Sequence, residues 1–443
     1  MRKKKLIRDT VLLTGSTLSM RGISLLFQIW LVSRIGAAGV GLYGLVSSVN
    51  ALAATFAISG IRFTTTRLIS EELGLKRSGG VGRALRLCLL YSLFFGVAAA
   101  LILYFCAEPI GFLWVGDART VLSLKISAPA LPFISMASVF YGYFTASGRI
   151  FKAAAVSVLE HIAQAGLVML FLSAAAAGDL EKSCAAVSAG NTATEILSFF
   201  LMLGIFLADR KKHRSPPELS PRLPSRILSL AVPLALSAYA RTSLATLEQL
   251  LVPRGLKKAG FSADKALSGY GTIQGMVFPI IFFPSCLLSA LAELIVPELT
   301  ALQVSGKSAE IRRNVRILLK KSFMFAAFIG LMLLLSADLL GKGIYKSPQA
   351  AGYIRLFALL VPVIYMDMVT DGCLKGLGQQ VWSMGINILD ALVGVVLVPI
   401  LLPRFALGGY IFILFFEEIL NLTLSLLRLR RAVNTAAEKA QTL

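Results

Sequence analysis

Arg21 and Arg241 stand 220 residues apart, each in the middle of a run otherwise apolar enough to cross a bilayer. A guanidinium at that depth is costly and marks a candidate functional site. Its planar, permanently charged fork suits a phosphate or pyrophosphate group. The alternative is a structural arginine that bonds helix-end carbonyls, Glu248 or Glu160. Residues seven apart share a helix face two turns apart. Gln28 therefore stands above Arg21, and Glu248 above Arg241. Glu248 puts an acid where the other run has an amide, which suits it to carry a coupling proton or sodium ion, or to form a standing ion pair with either arginine. Asn50, Ser47, Ser48 and Gln274 offer hydrogen bonds of the kind a sugar takes, or polar contacts between packed helices. The expected lining of a central cavity is therefore Arg21, Arg241, Gln28, Glu248, Asn50 and Gln274, with Glu248 as the ion-coupling candidate.

These residues must be held by membrane helices. Of the 443 residues, 56% are hydrophobic and 15% charged, with a mean hydropathy of +0.77, which fits a polytopic membrane protein. Apolar stretches near 10–33, 40–61, 84–106, 121–145, 153–174 and 185–208 are followed by others near 227–252, 267–292, 316–337, 352–374, 381–402 and 409–428. They predict an all-α integral membrane protein with twelve transmembrane helices. The expected organisation is a six-helix half over 1–208, a cytoplasmic linker over 209–226 rich in proline and basic residues, a second six-helix half over 227–429, and a tail over 430–443. With the N-terminus inside, 29 Lys and Arg residues fall in cytoplasmic segments and 12 in the opposite loops. That bias puts both termini in the cytoplasm. Arg62, Arg67 and the basic run 307–321 read as topology determinants near anionic lipid. The basic N-terminus precedes a run too long for a signal sequence and without a cleavage site, so it reads as a first membrane helix.

The halves correspond in order. Ser33-Arg34 answers Pro253-Arg254, Gly41-Leu42-Tyr43-Gly44 answers Ser268-Gly269-Tyr270-Gly271, Gly148 and Glu160 answer Gly378 and Asp390, and Glu195-Ile196-Leu197 answers Glu418-Ile419-Leu420. Apolar helices resemble one another by default, but rare charged residues do not recur in register by default. Six helices per half give both copies one topology, so the repeats are parallel about an axis along the membrane normal. Glu160 and Asp390 read as a symmetric structural pair, and Asp367 and Asp371, like Glu417-Glu418, as groups facing water or basic loop ends. Pro233, Pro279, Pro284, Pro362 and Pro399 are expected to kink their helices.

Other chemistries find little support. Gly306-Lys307-Ser308 resembles the end of a P-loop, but Ala301 stands where its first glycine belongs. Cys88, Cys106, Cys184, Cys286 and Cys373 lie singly, and His161 and His213 are the only histidines. Neither a disulfide framework nor a metal site is indicated, no cofactor is expected, and no nucleophile–base arrangement recurs in the short loops. The net charge of +21 follows the loops, which points to topology and away from nucleic acid. The expectation is a monomeric non-enzyme.

Ser19-Met20-Arg21-Gly22 followed by Ser33-Arg34-Ile35-Gly36 through Tyr43 resembles the opening of polysaccharide flippases in the multidrug/oligosaccharidyl-lipid/polysaccharide (MOP) exporter superfamily, in particular the branch like stage V sporulation protein B. Gly142 to Arg149 and Leu374 to Gln379 resemble the short turns after the fourth and tenth helices of that branch. The resemblance spans essentially the whole chain. It implies a MATE-like MOP flippase fold and alternating-access transfer of an undecaprenyl-linked oligosaccharide or cell-wall precursor across the cytoplasmic membrane, with H+ or Na+ coupling. A cation-coupled multidrug exporter and a non-transporting envelope or sporulation scaffold are the alternatives. The branch usually has fourteen helices against the twelve read here. Lipid II flippases carry further arginines where this chain has Phe27 and Ala53-Ala54, which favours a broader polysaccharide specificity.

Overall fold

The computed structural model describes residues 2–74, 78–174, 179–210 and 223–441. The linker core expected at 211–222 lies outside them. Every element among the described residues is helical. The first copy comprises α1 (Arg2–Ile58), α2 (Ile61–Gly74), α3 (Ser78–Phe105), α4 (Ala130–Ala146), α5 (Ile150–Ala174) and α6 (Leu180–Arg210). The second comprises α7 (Leu223–Lys258), α8 (Ala263–Gly271), α9 (Phe278–Val304), α10 (Ser308–Asp338), α11 (Val361–Gly376) and α12 (Gln380–Gln441). Short helical segments Ala118–Ser127 and Pro348–Ala358 lead into α4 and α11 across bends of 46° and 53°.

Among the described residues eight helices are long and apolar enough to span, or ten with each bent pair counted as one crossing. Two of these stretches, Thr17–Gly74 with 58 residues and Gln380–Asn434 with 55, are too long for one crossing. At about 1.5 Å per residue each exceeds 80 Å, against a hydrocarbon core of about 30 Å. Each also contains a break, at Gly36 (φ 69°) and Ala406 (φ 50°). Divided there, the described residues give six apolar crossings before residue 211 and six after residue 222.

Prolines do not set the main breaks. Pro233 lies within an uninterrupted α7, and α12 runs through Pro399 to bend at Ala406. Pro362 does start a helix directly after the 53° bend. Pro279 acts differently. It has no N–H to return to the Gly275 carbonyl, and the backbone over Thr272–Val277 widens into a π-helix there. The turn between α1 and α2 passes through Ser59 (φ 44°) and Gly60 (φ 71°), and a Cβ on Gly60 would collide with the Ala231 carbonyl of α7.

Duplication is visible in paired contacts. Lys125 Nζ donates to Glu108 Oε1 at 2.7 Å, and 230 residues later Arg355 pairs with Asp338. Glu108 is exposed, and its hydrogen bond from the Lys125 ammonium holds the carboxyl below its usual range. Buried Gly111 and Gly341, also 230 apart, lie against Val121 and Ala351. Gly148 and Gly378 turn the chain with φ of 67° and 71°. The copies diverge in how this turn is tied down. In the first, buried Asp209 of α6 accepts from Tyr143, Lys152 and Arg149. In the second, Arg428 of α12 donates to Gln379 at 3.0 Å and lies 4.2 Å over the Trp382 ring.

The chain forms two compact units, Met1–Ser24 with Leu42–Leu250, and Leu25–Gly41 with Leu251–Leu443. The first has a core around Ile61, Leu68, Phe140, Phe144 and Met202. In the second, Gly41 and Gly271 pack backbone to backbone. Gly271→Leu should therefore force this contact apart and cost about 1–3 kcal/mol or more. Gly385→Ala, with open space around it, should leave the melting temperature unchanged or raise it; thermal unfolding of detergent-purified protein compares the two.

Candidate functional site

In the first unit α7 packs on α1 through one face. Tyr239 donates to Ser59 Oγ at 2.8 Å, Thr55 donates to Thr242 at 3.4 Å, and Thr246 donates to the Ser48 carbonyl at 3.2 Å. At 100° per residue, Arg241 and Glu248 lie together roughly 150° around the helix from that face. Arg241 is exposed and Glu248 half-buried. Arg21 is likewise exposed on α1. Among the described residues no hydrogen bond or ion pair reaches either guanidinium. Neither Glu160 nor Glu248 pairs with them among the described residues.

Gln28 and Gln274 belong to the second unit. Gln28 Nε2 donates to the Gly275 carbonyl at 3.0 Å, the group that Pro279 leaves without its helical donor. Gln274 Nε2 donates to the hydroxyl of buried Tyr410 at 2.7 Å. Both amides thus serve the π-helical segment. In a lipid environment a backbone carbonyl needs such a donor.

Asn50 goes elsewhere, into a cavity of about 260 Å³ inside the first unit, lined by residues including Tyr43, Ser47, Glu160, Gln164, Asn191 and Glu195. A network orders its wall. Gln164 donates to Asn191 at 3.0 Å, Asn191 to the Tyr43 hydroxyl at 2.5 Å, and Asn50 to Ser127 at 3.0 Å. Glu160 Oε2 accepts from Ser198 at 2.6 Å and Tyr141 at 3.2 Å. The Asn50 carbonyl oxygen is buried and finds no donor. Two carboxylates and an open amide oxygen make a hard-oxygen site suited to a proton or a small cation.

The second unit repeats part of this arrangement. Asn421 donates to Asp390 at 3.3 Å, as its counterpart Ser198 does to Glu160, and to Asn387 at 3.2 Å. Asp371 accepts from Lys375 at 2.5 Å and from Ser383. One oxygen each of Asp367 and Asp390 is buried without a donor. No group of three or more potential metal ligands occurs among the described residues.

The six expected residues therefore do not form one cluster within either unit. Arg241 and Glu248 share a helix face, Gln28 and Gln274 flank the π-segment, and Asn50 joins Glu160. Sequence reasoning undervalued Glu160 and passed over Glu195, Asn191 and Tyr43 as pocket residues. The available signal was the recurrence of Glu195 as Glu418, two carboxylates inside apolar spans.

The polysaccharide biosynthesis protein family model matches residues 6–263, and the MatE model matches residues 259–400. Stage V sporulation protein B of Bacillus subtilis (strain 168) is 21% identical over 92% of this chain and 80% of its own. Sporulation protein YkvU of the same organism is 20% identical over 86% of both chains. A solved structure of an inward-facing multidrug resistance MATE family transporter of the MOP superfamily has a TM-score of 0.75 and 13% identity, over 97% of this chain and 99% of that one. This confirms the MATE-like fold.

If the arginine faces meet water, cysteines placed there will react with a charged, membrane-impermeant methanethiosulfonate. In a background with exposed Cys106 replaced by Ser, Arg21→Cys and Arg241→Cys should label within minutes. A cysteine at lipid-facing Phe94, 69% exposed, should not.

Proposed function

The chain belongs to the polysaccharide biosynthesis protein family, and from that premise we propose that this MOP-superfamily membrane transporter moves an undecaprenyl-linked oligosaccharide or cell-wall precursor between the leaflets of the cytoplasmic membrane. The observation that carries this reading is the pair of exposed guanidiniums, Arg21 and Arg241, in apolar helices with no protein partner among the described residues. Such a pair supplies two bidentate donors to a pyrophosphate, while a prenyl chain stays in the bilayer and needs no pocket.

The proposed cycle alternates the side to which the arginines open. With the arginines open inward they take the pyrophosphate, whose charges neutralise theirs. The breaks at Gly36, Ser59-Gly60 and Ala406 are the places where backbone torsions can absorb a change of opening. Coupling is assigned to carboxylates. Glu248 lies on the face of Arg241, where protonation would strengthen the net positive charge offered to the substrate. The pocket lined by Glu160 and Glu195 offers oxygen donors of the kind an ion takes.

A second reading, a cation-coupled multidrug exporter, is favoured by that acidic cavity and by the MATE-type fold. Proteoliposomes separate the two. Flipping requires that Arg21→Ala and Arg241→Ala each lower transfer of a lipid-linked sugar at least tenfold, the scale of one lost charge-assisted bond at about 1.5–3 kcal/mol. Arg→Lys at either place should recover part of the rate. Glu160→Gln with Glu195→Gln should remove the dependence of transfer on an ion gradient while binding persists. Normal flipping in both alanine variants, or export of cationic dyes that survives them and is lost in Glu248→Gln, would favour the exporter.

A further inference from the structure

The start of α10 carries positive charge on one selected face. At 100° per residue, Arg312, Arg316, Lys320 and Arg313 fall within about 100° of its circumference. The buried residues of the same stretch, Ile311, Val315 and Leu318, lie on the other side. Followed along the helix, the basic arc becomes an exposed apolar one through Phe323, Met324, Leu331 and Leu335, with Leu335 75% exposed. The cations therefore point out along the lipid-facing side, one to three turns before the apolar residues begin. They do not point into a loop or toward the core.

Neighbouring elements leave this face uncompensated. Glu310 is paired with Lys307 at 3.0 Å, and Glu298 accepts from Asn314 at 3.1 Å. Arg312 reaches only the neutral Asn434 of α12, at 3.4 Å, which brings exposed Arg430, one turn before Asn434, to the same end. No acidic residue pairs with any of these five among the described residues.

The duplicated copy provides an internal control. At the positions 230 residues earlier α3 has Gly82, Arg83, Arg86 and Leu90, with Leu90 58% exposed. Two cations are thus common to both copies and serve topology equally well in each. Arg312 and Lys320 are additions to the second copy, on the lipid-facing arc. Loop charge alone gives no reason for that placement.

We propose that the face formed by Arg312, Arg313, Arg316 and Lys320 of α10, with Arg430 of α12, is a binding site for anionic phospholipid headgroups at one membrane boundary, the one that the charge bias assigns to the cytoplasm. The ligand is a glycerophosphate diester anchored by its acyl chains against Phe323 and Met324. Each cation near an anionic surface contributes about a fivefold preference over a zwitterionic lipid.

Native mass spectrometry of the full-length protein, released from vesicles of phosphatidylcholine with phosphatidylglycerol, tests this without reference to transport. Wild type should retain phosphatidylglycerol. R312Q/R316Q/K320Q should retain at least tenfold less, and R312K/R316K as much as wild type. The R83Q/R86Q protein should also retain it. Should the triple substitution fail to fold, Lys320→Leu, which copies the first repeat, should still lower retention severalfold. Equal retention in the glutamine or leucine variants overturns the proposal. So does displacement of the lipid by millimolar glycerol phosphate, which would make the face a site for soluble anions.

Discussion

A charge in hydrocarbon must be neutralised, hydrated or removed, and the cost of leaving it alone organises this protein. A translocon-scale penalty of about 2.5–3.5 kcal/mol applies to each arginine at mid-helix. The chain has two, in equivalent helices of a duplicated frame, and the described residues give neither an acidic partner. The chain has only 23 Asp and Glu against 44 Lys and Arg, and several of those acids lie elsewhere: Glu160 and Glu195 inside one unit, and Asp367, Asp371 and Asp390 inside the other. The proposed ligand would then be what neutralises their charge.

The same economy governs the backbone. Each kink frees a carbonyl or an N–H that lipid cannot satisfy. Gln28 answers the carbonyl left by Pro279, and the hydroxyls of Tyr91 and Tyr239 gather on Ser59 at the α1–α2 turn. Duplication supplied matched frames, visible in the Glu108–Lys125 and Asp338–Arg355 pairs. Divergence then loaded them differently: an acid-centred clamp at Asp209 in one copy and a base-centred clamp at Arg428 in the other.

Twelve crossings were legible because twenty apolar residues are long enough to span a membrane whatever their neighbours do. The repeat was legible because charged residues are rare in such helices. Contacts that depend on helix rotation were not. Gln28 and Glu248 occupy equivalent places in the two runs, yet one amide binds a carbonyl of the π-segment while the acid lies beside Arg241. Proline positions also misled, since the breaks fall at Gly36 and Ala406, where the backbone takes positive φ. Glu195 joined Glu160 only once α5 and α6 were seen packed together.

Binding of a short-chain prenyl-pyrophosphoryl saccharide to detergent-purified protein, titrated against salt, addresses the central assignment most directly. The account predicts that affinity falls at least a hundredfold when Arg21 and Arg241 are both replaced by alanine, and that the salt dependence of binding flattens with it. Equal affinity and an equal salt slope in the two proteins would contradict it, and would leave the arginines with a structural role.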